Sequence, residues 1–514
     1  MGLRARRLAT LACLLAPSAV RAQLAPVGVP AGAVRVDFDG AIDIWDRRWR
    51  DGTREPLGAD LSSPAVGSDL LPSLADADAR IGRITGLSGY RLNLGALTAD
   101  AQAEDSRLSF GAAIGVTRAI TVFGRLPLVR ARAQNRVALV PTTGADAGQN
   151  PGGDQQAAFF GQFDASLAAL GARITAGDFD SDPALKARAQ STLDAGGALR
   201  TDLFGLLSDP VTAAPFVPTV GSAAGTAING RVADLQTMLV NDFAVGGFTA
   251  VPALPTDPVT AEQFGTSLSD PAGPIAIRPE DTKTTFRGDA EAGVALTLVD
   301  RWDRGPRRGG FRAAVEGLVR LPTGRVGQPN RLLTLGTGEG QTDIELRLTT
   351  DLGAGRWGLR GEGMYSRQLA GDYLVRVAPP TQPLASIDLL SAVRRDPGDI
   401  VSIAVRPFFR LAPTLALQAT ALHWSRGEDD VAYLTPADQI PGVDAAVLAQ
   451  ESQVSATVLG FGITYSHPGR LRPGGTGLPI DASWGYERVV RSGGGMTPDT
   501  HMMRARFRFY FGLF

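Results

Sequence analysis

The sequence predicts an all-β fold: a transmembrane antiparallel β-barrel of about twelve strands, with fourteen as the alternative, carrying a partly helical insertion on its outer side. Three observations predict it. Segments of about ten residues alternate apolar and polar side chains, the chain ends on an aromatic strand of the same kind, and the connections alternate between short and long.

The two ends of the chain frame the barrel. Arg4, Arg6 and Arg7 precede an apolar stretch from Leu8 to Val20, and Val20-Arg21-Ala22 offers a small-residue cleavage site before Gln23. Residues 1–22 therefore read as a secretory signal peptide, too short for a membrane-spanning helix. The one cysteine, Cys13, lies inside it, so a chain cleaved after Ala22 has no thiol chemistry. At the other end Met503, Ala505, Phe507, Phe509, Phe511 and Leu513 share one face of an extended strand. Arg504, Arg506, Arg508, Tyr510 and Gly512 share the other, which places arginines toward a lumen and aromatics toward lipid. Phe514 falls on the arginine side of that strand.

Composition removes other classes. The 62 glycines and 34 prolines of the 514 residues favour turns over long helices. The 51 basic and 52 acidic residues balance to a net charge of −1, which argues against general nucleic-acid binding. No apolar run is long enough for a membrane helix, whereas a barrel dilutes its hydropathy with polar lumen residues.

Alternating segments recur along 88–140 and 283–514, the two parts of the expected barrel. Leu92, Leu94 and Ala96 form the first, followed by Leu108 to Val116, then Ile120 to Ala133. Phe286 to Leu298 is the clearest, with Arg287, Asp289 and Glu291 on its polar face. Phe311 to Val319 opposes Arg312, Glu316 and Arg320, and Ile344 to Leu348 opposes Asp343, Glu345 and Arg347. Trp357, Leu359 and Tyr365 oppose Arg360 and Glu362. Ile400 to Phe409, Leu415 to His423, Val454 to Tyr465, Ile480 to Val489 and the terminal strand complete twelve. Counting back from a periplasmic C-terminus, the short connections at 117–119, 351–356 and 411–414 fall on the periplasmic side. The long ones at 141–282, 322–340, 367–398 and 425–451 fall outside. The short segment 102–106 is the one outward connection that breaks the rule.

The lumen candidates are thus Arg287, Asp289, Glu291, Arg312, Glu316, Arg320, Asp343, Glu345, Arg347, Arg360, Glu362, Arg504, Arg506 and Arg508. Facing lipid, an Arg or Lys at mid-membrane costs about 2–4 kcal/mol. Facing inward, the two signs pair across strands and fill a narrow barrel, and mixed signs make no single-sign selectivity ring.

Two regions lie outside the simple pattern. The N-terminal segment 23–87 contains the alternating Val34 to Asp39 and then the charged turn Asp46 to Gly52, read as extra strands or as a plug. The insertion 141–282 is helical in pattern. Phe160, Phe163, Leu167, Leu170 and Ile174 mark one helix within 157–176, and Asp182-Pro183 caps a second toward Leu207 with a break at Gly196-Gly197. Val232, Leu235, Leu239 and Phe243 mark a third.

Catalytic chemistry is sparse. His423, His467 and His501 sit in or beside separate strands, without metal-ligand spacing. No Gly-x-Ser-x-Gly elbow accompanies them, and Ser425 and Ser455 are ordinary strand residues. The Gly336 to Gly340 run lacks the lysine and helix of a phosphate loop, and Asp178 to Asp182 lacks the residues completing a calcium loop. The expectation is no enzyme, no cofactor and no metal.

Leu321-Pro322-Thr323-Gly324, the run Leu335-Gly336-Thr337-Gly338-Glu339-Gly340-Gln341-Thr342-Asp343, and Val122-Phe123-Gly124-Arg125-Leu126-Pro127-Leu128 together resemble the outer-membrane proteins grouped with the meta-cleavage pathway of phenol degradation. The resemblance spans roughly 88–140 and 283–514. It implies a bacterial outer-membrane location and a transporter related in architecture to importers of fatty acids and aromatic hydrocarbons. The 141–282 insertion departs from that group, and no Asn-Pro-Ala hatch motif follows the signal segment. The expected activity is passive passage of small, hydrophobic or aromatic solutes; the expected partners are outer-membrane lipid, the solute and the barrel-assembly machinery. A barrel-anchored surface or adhesion protein is the alternative, and an outer-membrane lipase the third.

Overall fold

In the computed structural model, which describes residues 27–303, 309–412, 414–467 and 479–512, twelve antiparallel strands close into one ring. The strands are β1 (Ala33–Trp45), β2 (Ala96–Gly115), β3 (Ile120–Val140), β4 (Thr282–Arg287 and Ala290–Asp303), β5 (Gly309–Leu321), β6 (Asp343–Ala354), β7 (Trp357–Gln368), β8 (Ile400–Arg410), β9 (Leu415–Arg426), β10 (Val454–His467), β11 (Ile480–Gly494) and β12 (His501–Gly512). Each pairs with its neighbours in sequence, and β12 pairs with β1 from Ala33↔Gly512 to Ile44↔His501, so the ring has no free edge. Closure of this kind satisfies every ladder within the protein, which spanning a membrane requires. The signal segment, Cys13, Leu513 and Phe514 lie outside the described residues.

The outer surface of the ring is apolar. Phe110, Leu126, Leu128, Leu296, Leu346, Ile403, Phe461 and Phe511 are all exposed, and on β6 Ile344, Leu346 and Leu348 alternate with buried Asp343, Glu345 and Arg347. A continuous exposed apolar belt around a closed barrel is stable only against hydrocarbon. The short connections after β2, β6 and β8 lie at the end of the ring where Ala33 meets Gly512, and the long ones lie at the other end.

The count of twelve stands, but its membership differs. Leu92 and Leu94 are not in a barrel strand. They are buried in the cap, where Leu94 N–H donates to Val66 O (2.8 Å), and alternation alone does not distinguish that apolar contact from lipid. Residues 102–106 are not a connection either; they lie within the 20-residue β2. Their charges resembled a turn, yet Asp105 faces inward and accepts from Arg107 Nη2 (2.7 Å). Removing that false connection removes the one exception to the loop-length rule. The missing strand is β1, from the N-terminal segment.

The same N-terminal segment also folds inward. Val27 and Val29 are buried among Ala113, Phe123, Ala295, Ala314 and Leu318, with Val29 N–H donating to Thr121 Oγ1 (2.9 Å) and Arg35 Nη1 to Val27 O (3.1 Å). At the outer end Asp46 to Gly52 is more than a turn. Arg47–Arg50 and Thr53–Pro56 form a hairpin closed by Asp51-Gly52, both at positive φ, as a two-residue turn requires. The hairpin pairs with Met496–Pro498 and rims the barrel mouth.

Above the mouth sits a helical cap: α1 (Ala75–Thr85), α2 (Gly153–Ala176), α3 (Pro183–Leu207), α4 (Ala223–Asn241) and α5 (Ala261–Ser269). One apolar cluster joins them, with Phe159, Phe163, Leu170, Leu203, Leu206, Ile228, Val232 and Leu239 buried beside Ile81, Leu92 and Leu94. Asp182 caps α3 by accepting from Ala184 and Leu185 N–H (3.0 and 3.1 Å). Gly196-Gly197 does not break α3: a Cβ at Gly196 would lie 2.8 Å from Leu167 Cδ2, so glycine there permits close packing on α2. Tyr90 O–H donates to Asp146 (2.7 Å); burial and the neighbouring carboxylate push the Tyr90 hydroxyl above its usual range.

Candidate functional site: a lumen cavity over an ion ladder

Side chains on the inner faces of β12, β1, β3, β4, β5 and β6 join in one chain of ion pairs. Arg506 donates to Asp39, which also lies 3.7 Å from Arg125; Arg125 reaches Glu291 at 2.9 Å. Arg320 then bridges Glu291 (3.5 Å), Asp343 (2.7 Å) and Glu345 (3.6 Å), and Arg347 joins Glu345 to Glu316 (3.9 Å). The chain passes over β2 because β2 is small there. Gly111 lies beneath Asp37 Cβ and Arg125 Cγ, where a Cβ would stand 3.3 and 3.6 Å away.

Toward the end holding Ala33 and Gly512, side chains fill the ring. Arg35 pairs with Asp37 (2.8 Å), Arg508 with Asp37 (3.4 Å), Arg312 and Arg360 with Asp351 (2.7 and 2.6 Å), and Arg406 with Glu362. Arg360, Arg406 and Arg508 are among the largest fully buried side chains in the protein. Pairing is what makes such burial tolerable, since removing one partner strands the other's charge. Arg35, Asp37, Asp39 and Arg125 belong to strands or faces outside the sequence-derived set. Their signal was present, because Val34 to Asp39 alternates as β1 does and Arg125 alternates with Gly124 and Leu126.

Of the predicted lumen residues, all but one lie on inner faces: Asp289, Glu291, Arg312, Glu316, Arg320, Asp343, Glu345, Arg347, Arg360, Glu362, Arg504, Arg506 and Arg508 are buried or nearly so. Arg287 is the correction. It pairs in register with the exposed Leu128, is itself exposed, and faces outward. The strand is interrupted at Gly288-Asp289, which changes the parity that would have put Arg287 beside Asp289.

That interruption holds an outer loop. Asp289 accepts from Gly324 N–H and Glu339 N–H, both at 2.8 Å, and Thr323 Oγ1 and Thr337 Oγ1 donate to Gly288 O (2.7 Å) and Arg287 O (3.0 Å). The glycines of 336–340 therefore close around a carboxylate rather than a phosphate; a Cβ at Gly338 would stand 2.3 Å from Asp289 Oδ1. The hydroxyl of Tyr373, in the outer loop after β7, lies 2.7 Å from Glu339 O and 2.5 Å from Gln341 Oε1 and shares its one proton between these two acceptors. Burial pushes its hydroxyl up to about 12, keeping it a donor.

Between the ion ladder and this loop lies a cavity of about 620 Å³. Its two walls differ. Strands β1 to β6 contribute the charged Asp39, Arg107, Arg125, Glu291, Arg320 and Glu345 beside Pro127 and Val129. Strands β7 to β12 contribute the apolar Met364, Leu422, Trp424, Val458, Val489 and Met502 among the uncharged Ser366, Ser402, Gln418 and Ser483, with Glu487, Arg504 and Arg506 toward the seam. The loop residues Gly336 to Glu339 and the rim residues Thr497 and Pro498 also border it. A volume of this size suits one small molecule.

The histidines do not converge. His423 lies exposed on the outer face with Nδ1 3.1 Å from Thr457 Oγ1, and His501 Nδ1 lies 2.7 Å from the Tyr486 hydroxyl. His467 is at the opposite end of β10 from Val454. Among the described residues no three His, Cys, Asp or Glu side chains group as a metal site would. In the Asp178 to Asp182 run, Asp178 accepts from Arg173 (2.7 Å), Asp180 from Lys186 (2.6 Å), and Asp182 caps α3.

No family model matches the chain. No curated protein matches it either. Among solved structures it is similar to an outer-membrane channel from Pseudomonas putida F1, at 10% identity and TM-score 0.41 over 95% of this chain and 100% of that one. It is also similar to the toluene transporter TodX from Pseudomonas putida (11% identity, TM-score 0.25, 95% of this chain and 90% of that one). A further likeness is to the monoaromatic hydrocarbon channel CymD (8% identity, TM-score 0.25, 94% and 89%). The barrel assignment rests on the closed strand pairing and the apolar belt, not on these likenesses.

Proposed function

We propose that this chain is a bacterial outer-membrane channel that passes small amphipathic molecules, with an apolar or aromatic body and a polar end, down their gradient. The observation that carries the reading is the two-sided cavity. An aromatic body would lie against Trp424, Leu422 and Met364 while its polar end meets the Arg125–Glu291–Arg320 side. Burying one face of such a ring against apolar side chains is worth roughly 1–2 kcal/mol at about 25 cal/mol per Å², weak enough for release. The motif resemblance to the phenol meta-cleavage group favours aromatic solutes within this class.

Passage would require the lower plug to shift, since Val27, Val29 and the Arg508–Asp37 and Arg360–Asp351 pairs fill the exit. The test is flux of small aromatic alcohols and acids into liposomes holding the purified protein. Trp424→Ala should slow aromatic solutes more than glycerol, while removal of residues 27–30 should raise the flux of both. Equal, background-level flux for the wild type and the truncated chain would refute the channel and favour a barrel that only anchors its cap.

A further inference from the structure

Basic residues cluster on the outward face of β3 and β4, just beyond the apolar belt. Along β3 the outward positions run Val122, Leu126 and Leu128, all exposed and apolar, then Arg130 and Arg132. In register across the ladder, Arg287 stands opposite Leu128 and Lys283 opposite Arg132. Four cations thus occupy two adjacent strands within about 13 Å of strand length, at about 3.4 Å per residue.

Among the described residues none of the four is held by a carboxylate. Arg130, Lys283 and Arg287 are exposed, and among the described residues none of the four forms an ion pair. Arg287 Nε donates to Thr323 O (3.1 Å) and its guanidinium lies 5.4 Å from the Phe286 ring centre, contacts that bring no negative charge to it. The nearest carboxylate in register is Glu104, opposite Arg132, and it accepts from Ser106 Oγ (2.7 Å). Asp281, beyond Lys283, is taken by Gln134 and the Asn135 N–H. On β7 the treatment is opposite: Arg367, at the outer end beside Ile344, pairs with Asp399 (2.9 Å) and Asp396 (3.1 Å).

We infer that the Arg130–Arg132–Lys283–Arg287 face binds the phosphate groups of the outer-leaflet glycolipid, lipopolysaccharide, whose acyl chains lie against Leu126, Leu128 and Phe110. The inference rests on the outer-membrane reading, with the loop-rich end outward. Lipid phosphates sit where these cations sit, at the boundary between hydrocarbon and water, and each Lys or Arg near an anionic lipid surface adds measurable attraction. Guanidinium groups suit phosphate because they donate two parallel hydrogen bonds.

The experiment is native mass spectrometry and equilibrium binding of the full protein in nonionic detergent, titrated separately with purified lipopolysaccharide and with phosphatidylglycerol. The variants are R130S/R132S, K283T/R287T, the four combined, and the control R118S/R231S, which removes exposed cations elsewhere. Each is first checked for heat-modifiable gel mobility, so loss of the barrel is separable from loss of the lipid site. The double variants keep the test open if the quadruple one does not fold. Lipopolysaccharide affinity should fall at least about fivefold in each double variant, steepen with lower salt in the wild type, and stay unchanged in the control. Unchanged affinity in the folded double variants overturns the site. So does phosphatidylglycerol binding as tightly as lipopolysaccharide with the same losses, because that is general attraction to anionic lipid.

Discussion

Asp289 is the single side chain on which the inward loop depends most directly. It accepts two backbone N–H groups from distant parts of 322–342, and it is buried. A hydrogen bond to a charged group contributes about 1.5–3 kcal/mol, so the two together hold the loop by roughly 3–6 kcal/mol before other contacts. Asp289→Asn retains one acceptor and sets an N–H₂ against the other amide, losing about half. Asp289→Ala loses both. Hydrogen exchange at the Gly324 and Glu339 amides reads this directly, because their protection reports local opening. At tenfold per 1.4 kcal/mol, protection should fall roughly 10- to 100-fold in the Asn variant and about 100-fold or more in the Ala variant. Amides in β9 and β10 should be unaffected. A change below about threefold at both amides in Asp289→Ala would refute the claim that this carboxylate pins the loop.

Gly338→Val should have a similar local effect without touching Asp289, since no side chain fits against Asp289 Oδ1 and Gly324 Cα, and protease cleavage within 322–342 should speed up. Leu348→Arg, in the middle of the β6 belt, should reduce insertion stability by about 2–4 kcal/mol in lipid refolding titrations, whereas Leu128→Arg at the rim should cost about 0–1. Glu362→Gln should destabilise the folded barrel by about 3–5 kcal/mol by removing a carboxylate paired with the buried Arg406, measured by the urea midpoint of the unfolding-linked gel shift. At Asp60, burial opposes ionisation, but hydrogen bonds from Arg50 and Arg48 outweigh it and hold the carboxyl below its usual range. A depressed folded value means stability present above about pH 4 and lost as pH falls further. Amides of the Arg47–Pro56 hairpin should therefore lose protection below pH 4, and Asp60→Asn should flatten that dependence.

Most of the barrel was legible because a two-sided strand writes its environment at every second residue. Loop lengths added an independent constraint, and the false connection at 102–106 betrayed itself by violating it. Alternation does not separate an apolar residue facing lipid from one facing another apolar surface, so Leu92 and Leu94 carry the pattern of barrel wall while lying buried in the cap. A parity shift is equally invisible: the interruption at Gly288-Asp289 turns Arg287 outward while Glu291 stays inside. The ion ladder was legible as a set of inward charges, but its partners were not. Arg125 reaches Asp39 only because Gly111 lets it cross β2. Helices α1 and α5 are amphipathic but only 11 and 9 residues long, so each offers too few turns for its apolar spacing to repeat.

The seam between β1 and β12 joins the beginning of the chain to its end, so it forms only once both are present. A slip of one residue there would turn every side chain of one strand to the opposite face. In the observed register Asp37 stands opposite Arg508 and Asp39 opposite Arg506, two rungs of opposite charge in succession. An odd slip that turns β12 over sends Arg504, Arg506 and Arg508 into hydrocarbon, and a slip of two sets Tyr510 against Asp37 in one direction and Arg35 against Arg508, like charge on like, in the other. The charges at the seam thus act as a lock that accepts one alignment, fixing when a nearly finished cylinder counts as closed.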